Sequence, residues 1–218
     1  VVQTEGIKNW FAKKGYQKLK VIPNPITLNK EVGKSAEDKT IVACGRLVPQ
    51  KGFDKLLEVF SGLTEEMPDW QVQIIGDGPE LEKLTKKARD LGIEDKVTFL
   101  GYQENPSCFY SKGGVFSFTS DYEGFPNALC EAMVAGMAVV SYDCPSGPSD
   151  LVIDGENGFL IPLGNMDVFK ERLRQIMKDV NLRLKFSKEA VKIADKLNIA
   201  QVALAWEELA ARVSIEGE

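Results

Sequence analysis

Apolar positions recur along the chain in two rhythms. Short continuous or alternating runs predict strands over residues 19–22, 40–44, 71–75, 97–100, 115–119 and 138–142. Between them the apolar residues fall at helical spacing: Phe53, Leu56, Leu57, Phe60 and Leu63 form one stripe, and Leu81, Leu84, Ala88 and Leu91 the next. This alternation predicts an α/β fold, a Rossmann-like parallel sheet with helices on both faces, because right-handed crossovers lay each helix back onto the sheet. After Pro162 the pattern is helical only. One stripe runs from Phe169 through Leu173, Ile176 and Met177 to Val180, and the last from Ile199 through Val202, Ala203, Trp206, Leu209 and Ala210 to Val213. In such a sheet ligands bind beyond the carboxyl ends of the strands, so the loops there are where chemistry is expected.

The two ends read differently. Residues 1–18 open with a strand end at Val1 and Val2 and continue as a basic amphipathic helix carrying Trp10, Phe11 and several lysines. This segment is expected to be a remnant of a preceding domain or a linker, with residues 19–213 the folded unit and 214–218 a tail. The chain starts Val-Val-Gln-Thr rather than with methionine or a signal-like segment, which points to a piece of something longer. Its longest nearly apolar stretch, residues 132–140, has nine residues, against about 20 for a membrane-spanning helix.

Composition narrows the chemistry. With 218 residues the chain can bury a core without disulfides or metals. It has no histidine, which excludes Ser-His-Asp and Cys-His nucleophile pairs, His-ligated metals and histidine acid–base work. A net charge of −5 with no long basic run argues against a nucleic-acid partner. Cys44, Cys108, Cys130 and Cys144 are scattered without C-x-x-C spacing, which fits reduced thiols in a cytoplasmic protein rather than a zinc set.

Three loops that follow predicted strands carry candidate chemistry. In Gly45-Arg46-Leu47-Val48-Pro49-Gln50-Lys51-Gly52 the glycines free the backbone on either side of two cations, so Arg46 and Lys51 can converge on a diphosphate. An ordinary strand-to-helix turn with solvated cations is the alternative. In Ile75-Gly76-Asp77-Gly78-Pro79-Glu80, Leu81 stands where a dinucleotide fingerprint has its third glycine. Its glycines therefore read as a tight turn before a helix that opens with Pro79. The third loop turns through Glu123 and Gly124 into a helix with Pro126 near its first position, which aims the amides of Asn127, Ala128 and Leu129 at an anion on the helix axis. Ala128, Leu129, Ala132 and Met133 form the packed face. Glu131 lies on the other side, near Asn127, leaning back toward the helix start. Glu123 and Glu131 then flank one helix N-terminus and suit sugar hydroxyls, the alternative being two solvated acids.

In this order, Arg46 and Lys51 within GRLVPQKG, then GDGPEL, then EGFPNALCE with seven residues between its glutamates resemble the carboxyl-terminal domain of the retaining family 4 glycosyltransferases, one half of a GT-B fold. The resemblance covers about residues 19–213. Val21-Ile22-Pro23-Asn24-Pro25 and Cys144-Pro145-Ser146-Gly147-Pro148-Ser149-Asp150 resemble two more segments of that family, which more often has glycine at Pro25 and glutamate at Asp150. What the resemblance implies is a nucleotide-sugar donor, UDP-linked, used as substrate with no cofactor and no metal. Arg46 and Lys51 would grip its diphosphate and stabilise the departing phosphate, beside the turn at Gly45. Glu123 with the amides of Gly124 and Phe125 would hold the transferred sugar. Asn127, Ala128 and Leu129 would offer amides to phosphate, Glu131 would hold the ribose hydroxyls, and the base would sit near Gly101 and Tyr102. Arg46, Lys51 and Glu123 are thus the catalytic candidates. Asp121-Tyr122-Glu123 also resembles an acidic metal motif of the other glycosyltransferase architecture, but its strand-turn-helix setting fits the first reading better.

The same resemblance implies that a saccharide or lipid-linked acceptor is bound by an amino-terminal domain absent from this stretch. The fragment is then expected to be inactive alone. The whole enzyme is expected to be cytoplasmic, peripheral to the inner face of the cell membrane, and to act in bacterial surface polysaccharide or lipopolysaccharide synthesis. The stripe from Ile199 to Val213 would be a final helix crossing back to the first domain, or else an ordinary packing helix. Rival readings are a non-catalytic nucleotide-binding module and an NAD-dependent oxidoreductase domain, the latter lacking both the third glycine and a ribose acid about 20 residues on.

Overall fold

Six parallel strands form the centre of the computed structural model, which describes residues 1–27 and 36–216. They are β1 (Thr40–Cys44), β2 (Gln71–Ile75), β3 (Val97–Phe99), β4 (Val115–Phe118), β5 (Ala138–Asp143) and β6 (Phe159–Pro162), in the order β3-β2-β1-β4-β5-β6. The helices are α1 (Glu5–Lys13), α2 (Phe53–Ser61), α3 (Leu81–Asp90), α4 (Ser107–Tyr110), α5 (Asn127–Val134), α6 (Pro148–Leu151), α7 (Met166–Lys178), α8 (Val180–Ala190), α9 (Ala194–Leu197) and α10 (Ile199–Glu216). Every residue of β4 is buried, as expected of a strand covered on both faces. On one face Leu56, Leu57 and Phe60 of α2 pack with Phe169 and Leu173 of α7. On the other, Leu129 and Met133 of α5 pack on Phe116 and Val139. Strand order reverses between β1 and β4, which opens a crevice at their carboxyl ends.

Several boundaries depart from the sequence reading. Residues 19–22 make no strand of the sheet. Val21 forms only a parallel bridge to Val2, held by Val2 N donating to Lys20 O (3.0 Å) and Ile22 N to Val2 O (2.9 Å). The unpredicted β6 pairs along β5 at the sheet edge, where Pro162 removes no inner ladder bond. The stripe read as running to Val180 breaks at Asp179, whose backbone is extended and whose carboxylate accepts from Leu182 N (3.0 Å), ending α7 and capping α8. Arg183 on α8 is 5% exposed and donates to the carbonyls of Ile176 (2.6 Å) and Met177 (2.8 Å) at the end of α7, and to Ala36 O (2.6 Å).

Helix α10 continues through Glu216, so residues 214–216 of the predicted tail are helical, and 217 and 218 lie outside the described residues. The start of residues 1–18 is docked on the fold, while α1 buries no residue. Thr4 is buried and caps α1 by accepting from Ile7 N (3.1 Å), and Glu5 N donates to Asp150 Oδ2 (2.8 Å). Among the described residues no helix is long and apolar enough to cross a membrane.

Candidate active site

The loops after β1 and β2 interlock. Gly45 N donates to Ile75 O and Leu47 N to Asp77 O, each at 2.9 Å. The backbones come so close that a Cβ on Gly76 would stand 2.0 Å from Gly45 O, and one on Gly78 2.5 Å from Leu47 O. The GDG glycines thus serve close packing and shape the Gly45–Leu47 turn. Gly76 N also donates to Gly101 O (2.8 Å), which places Gly101 on the far side of the same junction, with Tyr102 beyond it 76% exposed.

The first and third motifs are joined just as tightly. Gly52 is left-handed (φ 62°), and its Cα lies where a Cβ would be 2.3 Å from Thr119 O. Thr119 Oγ1 donates to Lys51 O (2.9 Å), Asp121 N to Gln50 O (2.8 Å) and Gln50 Nε2 to Tyr122 O (2.6 Å). This seam sets Lys51 Nζ 2.6 Å from Glu123 Oε1, with side chains only 18% and 9% exposed. Lys55 pairs with Asp121 beside them. Arg46 is exposed and shares with Val48, Gln50, Lys51 and Tyr122 the wall of a cleft of about 500 Å³.

Helix α5 starts from Pro126 in the N-cap position. The Asn127 amide, expected to be free, donates instead to Phe125 O (2.9 Å), because the chain folds back tightly before the helix begins. Among the described residues none accepts from the amides of Gly124, Phe125, Ala128 or Leu129. The Leu129 side chain is fully buried and Phe125 nearly so, which leaves their contribution to the backbone.

Glu131 lies in a second cleft of about 310 Å³ with Pro25, Ile26, Tyr110, Asn127 and Ala135. The Tyr110 hydroxyl donates to Glu131 Oε2 (3.2 Å). Asn24 Nδ2 donates to Asn127 Oδ1 (3.0 Å), and Asn24 Oδ1 accepts from Gln3 Nε2 (2.6 Å). Burial holds the Glu131 carboxyl above its ordinary value, and the Tyr110 hydrogen bond opposes that rise. Burial also pushes the Tyr110 hydroxyl well above its ordinary range, helped by the charges of Cys44 and Glu131. The thiols of Cys44, Cys130 and Cys144 are all raised, first by burial, with Cys144 pushed up to about 12, so none is an activated nucleophile.

The structure therefore places Arg46 and Lys51 in one cleft, with Gly45 preceding Arg46 and Glu123 paired to Lys51, and Asn127 and Glu131 of α5 in another. Over residues 26–193 the chain matches the family model described as glycosyl transferases group 1. The chain belongs to this family. Among its relatives, an uncharacterized glycosyltransferase of Haemophilus influenzae is 33% identical over 94% of this chain and 59% of its own length. The lipopolysaccharide 1,6-galactosyltransferase of Salmonella typhimurium is 34% identical over 80% of this chain and 51% of its own. The crystal structure of a TarM mutant of S. aureus in complex with fondaparinux, alpha-GlcNAc-glycerol and UDP superposes with a TM-score of 0.90 at 26% identity, over 95% of this chain and 43% of that one. The chain thus spans roughly half of these relatives. Its Rossmann-like sheet matches one half of these GT-B glycosyltransferases.

In this group 1 glycosyl transferase domain the sequence reading missed Tyr110 and Gln50. Gln50 stands inside GRLVPQKG but is neither cation nor glycine. Tyr110 precedes Glu131 by 21 positions, and no periodicity or spacing announces their contact.

Proposed function

We propose that this chain is the donor-binding part of a retaining family 4 glycosyltransferase. The whole protein transfers a sugar from a UDP-linked nucleotide sugar to a saccharide or lipid-linked acceptor in bacterial surface polysaccharide or lipopolysaccharide synthesis. The observation that carries this reading is the Lys51–Glu123 pair, set beside four amides that no described residue accepts from, at the strand-order reversal of the sheet. A diphosphate there meets Arg46, Lys51 and the positive end of α5. It competes with Glu123 for Lys51 and frees that carboxylate to accept from sugar hydroxyls. Fixed cations and amides then stabilise the departing diphosphate, chemistry that needs no histidine, metal or cofactor from this domain. Gly101 and Tyr102 border the base. The Salmonella relative's lipopolysaccharide substrate and the UDP bound to TarM support the choice of acceptor class and donor.

The acceptor belongs to an amino-terminal domain. Helix α10, with Ile199, Leu204, Trp206 and Val213 exposed, reaches toward that domain, and the whole enzyme works as a peripheral protein at the inner face of the cell membrane. By this division the 218-residue chain binds nucleotide weakly and transfers nothing alone. Calorimetry with UDP, GDP and NAD on wild type, Arg46→Ala and Glu131→Ala tests the reading. UDP is expected to bind, more weakly to each variant. Binding of NAD without nucleoside diphosphates overturns the reading, equal UDP binding by all three proteins moves the site elsewhere, and sugar transfer by this chain alone overturns the division of labour.

A further inference from the structure

Glu131 faces its cleft with one oxygen already engaged. Its partner Tyr110 is 1% exposed, its ring stands edge-on to Phe116 at 5.8 Å, and its hydroxyl lies within hydrogen-bonding reach of both the Cys44 thiol and Glu131, so the phenol is held in place. No cation pairs with Glu131 among the described residues, in contrast to the lysine on Glu123. A flexible carboxylate with three rotatable bonds must lose that freedom to hold a ligand. Here the phenol takes up Oε2, in a side chain that lines the cleft together with Asn127. We infer that Tyr110 is a positioning residue for nucleotide recognition, holding Glu131 in the one orientation in which its carboxylate accepts from the ribose hydroxyls of a nucleoside diphosphate. This deepens the donor-site reading and rests on it.

Burial raises the Tyr110 hydroxyl well above its ordinary value, which favours the protonated, donating form. The Tyr110 bond also opposes the rise in the Glu131 carboxyl, so losing it leaves Glu131 protonated up to a higher pH. The phenol therefore acts on both the geometry and the charge of the group that meets the sugar.

The test uses calorimetry of UDP and 2′-deoxy-UDP on wild type, Tyr110→Phe and Glu131→Gln. Tyr110→Phe keeps the ring against Phe116 and removes one oxygen. Wild type is expected to favour UDP over the deoxy nucleotide, and Tyr110→Phe to lose about tenfold in UDP affinity while binding the deoxy nucleotide almost as before, the scale of one hydrogen bond to a charged group. Its preference ratio then falls to that of Glu131→Gln. The weakening of UDP binding on acidification is expected to begin at higher pH in Tyr110→Phe than in wild type. Equal losses for both nucleotides with an unmoved pH profile mark a packing role only and overturn the inference, as does an unchanged preference in Tyr110→Phe. If wild type binds UDP and Glu131→Gln weakens it, such a result leaves the donor-site reading standing; if wild type binds no nucleoside diphosphate, both fall.

Discussion

Glu123 and Glu131 bracket the nine residues of EGFPNALCE, yet the first meets Lys51 at 2.6 Å and the second, among the described residues, meets the Tyr110 phenol at 3.2 Å. Both are largely withdrawn from water. A lysine against a carboxylate offsets part of its desolvation by opposite charge, whereas a neutral donor offsets less. The motif thus has a neutralised end, suited to releasing its acid when an anion draws the lysine away. Its other end holds a carboxylate that gains most from new donors. The arrangement teaches that the two glutamates are not interchangeable, although in sequence they look like a matched pair.

The sharpest way to break the comparison is kinetic. In the full-length enzyme Lys51→Ala is expected to lower kcat by about 10²–10³-fold, the cost of losing one electrostatic stabiliser of a leaving group. Initial rates at saturating donor would show it, and a rise in KM alone would recast the Lys51 end as a binding device. Nucleoside diphosphate binding should respond next: Glu131→Gln is expected to weaken it about tenfold by calorimetry, through loss of hydrogen bonds to a charged acceptor.

Stability should run the other way. With a desolvated charge removed, Glu131→Gln is expected to melt at or above the wild-type temperature at pH 7, while Glu123→Gln, which strands Lys51, melts about 2–4 °C lower. Thermal scans across pH extend this contrast. The folded Glu131 value lies above its ordinary 4.5, so between the two the folded chain holds more protons than the unfolded one. Stability contributed by this group therefore falls as pH rises through that window, and Glu131→Gln should flatten the fall. The smallest effect belongs to Asn24→Ala, which removes an exposed bond to Asn127 and is expected to change stability by less than about 0.5 kcal/mol in a denaturant titration.

Much of this fold was legible because burial leaves a periodic trace. Strands β1, β2 and β4 lie within the apolar runs that predicted them, and the stripe from Phe53 to Leu63 is buried throughout. Where the trace misled, a local signal competed with it. Asp179 caps a new helix inside one apolar stripe, and β6 is four residues ending in a proline. The stripe on α10 is correctly spaced but only Val202 is buried, with Trp206 50% exposed, since spacing says which residues share a face and not what covers it. At the site, the cations, glutamates and helix start could be named from residue type. The loss of the Asn127 amide to Phe125 O depends on backbone angles that residue type does not dictate.

Composition and local periodicity are enough to show that this domain has no histidine and that cations, acids and a helix start lie in loops after strands. Which partner each acid receives is set by how the chain packs. Lys51 reaches Glu123 across 72 positions through the Gly52–Thr119 contact, and Tyr110 reaches Glu131 by the packing of α4 beside α5. Ionisation and orientation depend on what lies within a few ångströms, and chain folding, not sequence separation, sets that distance.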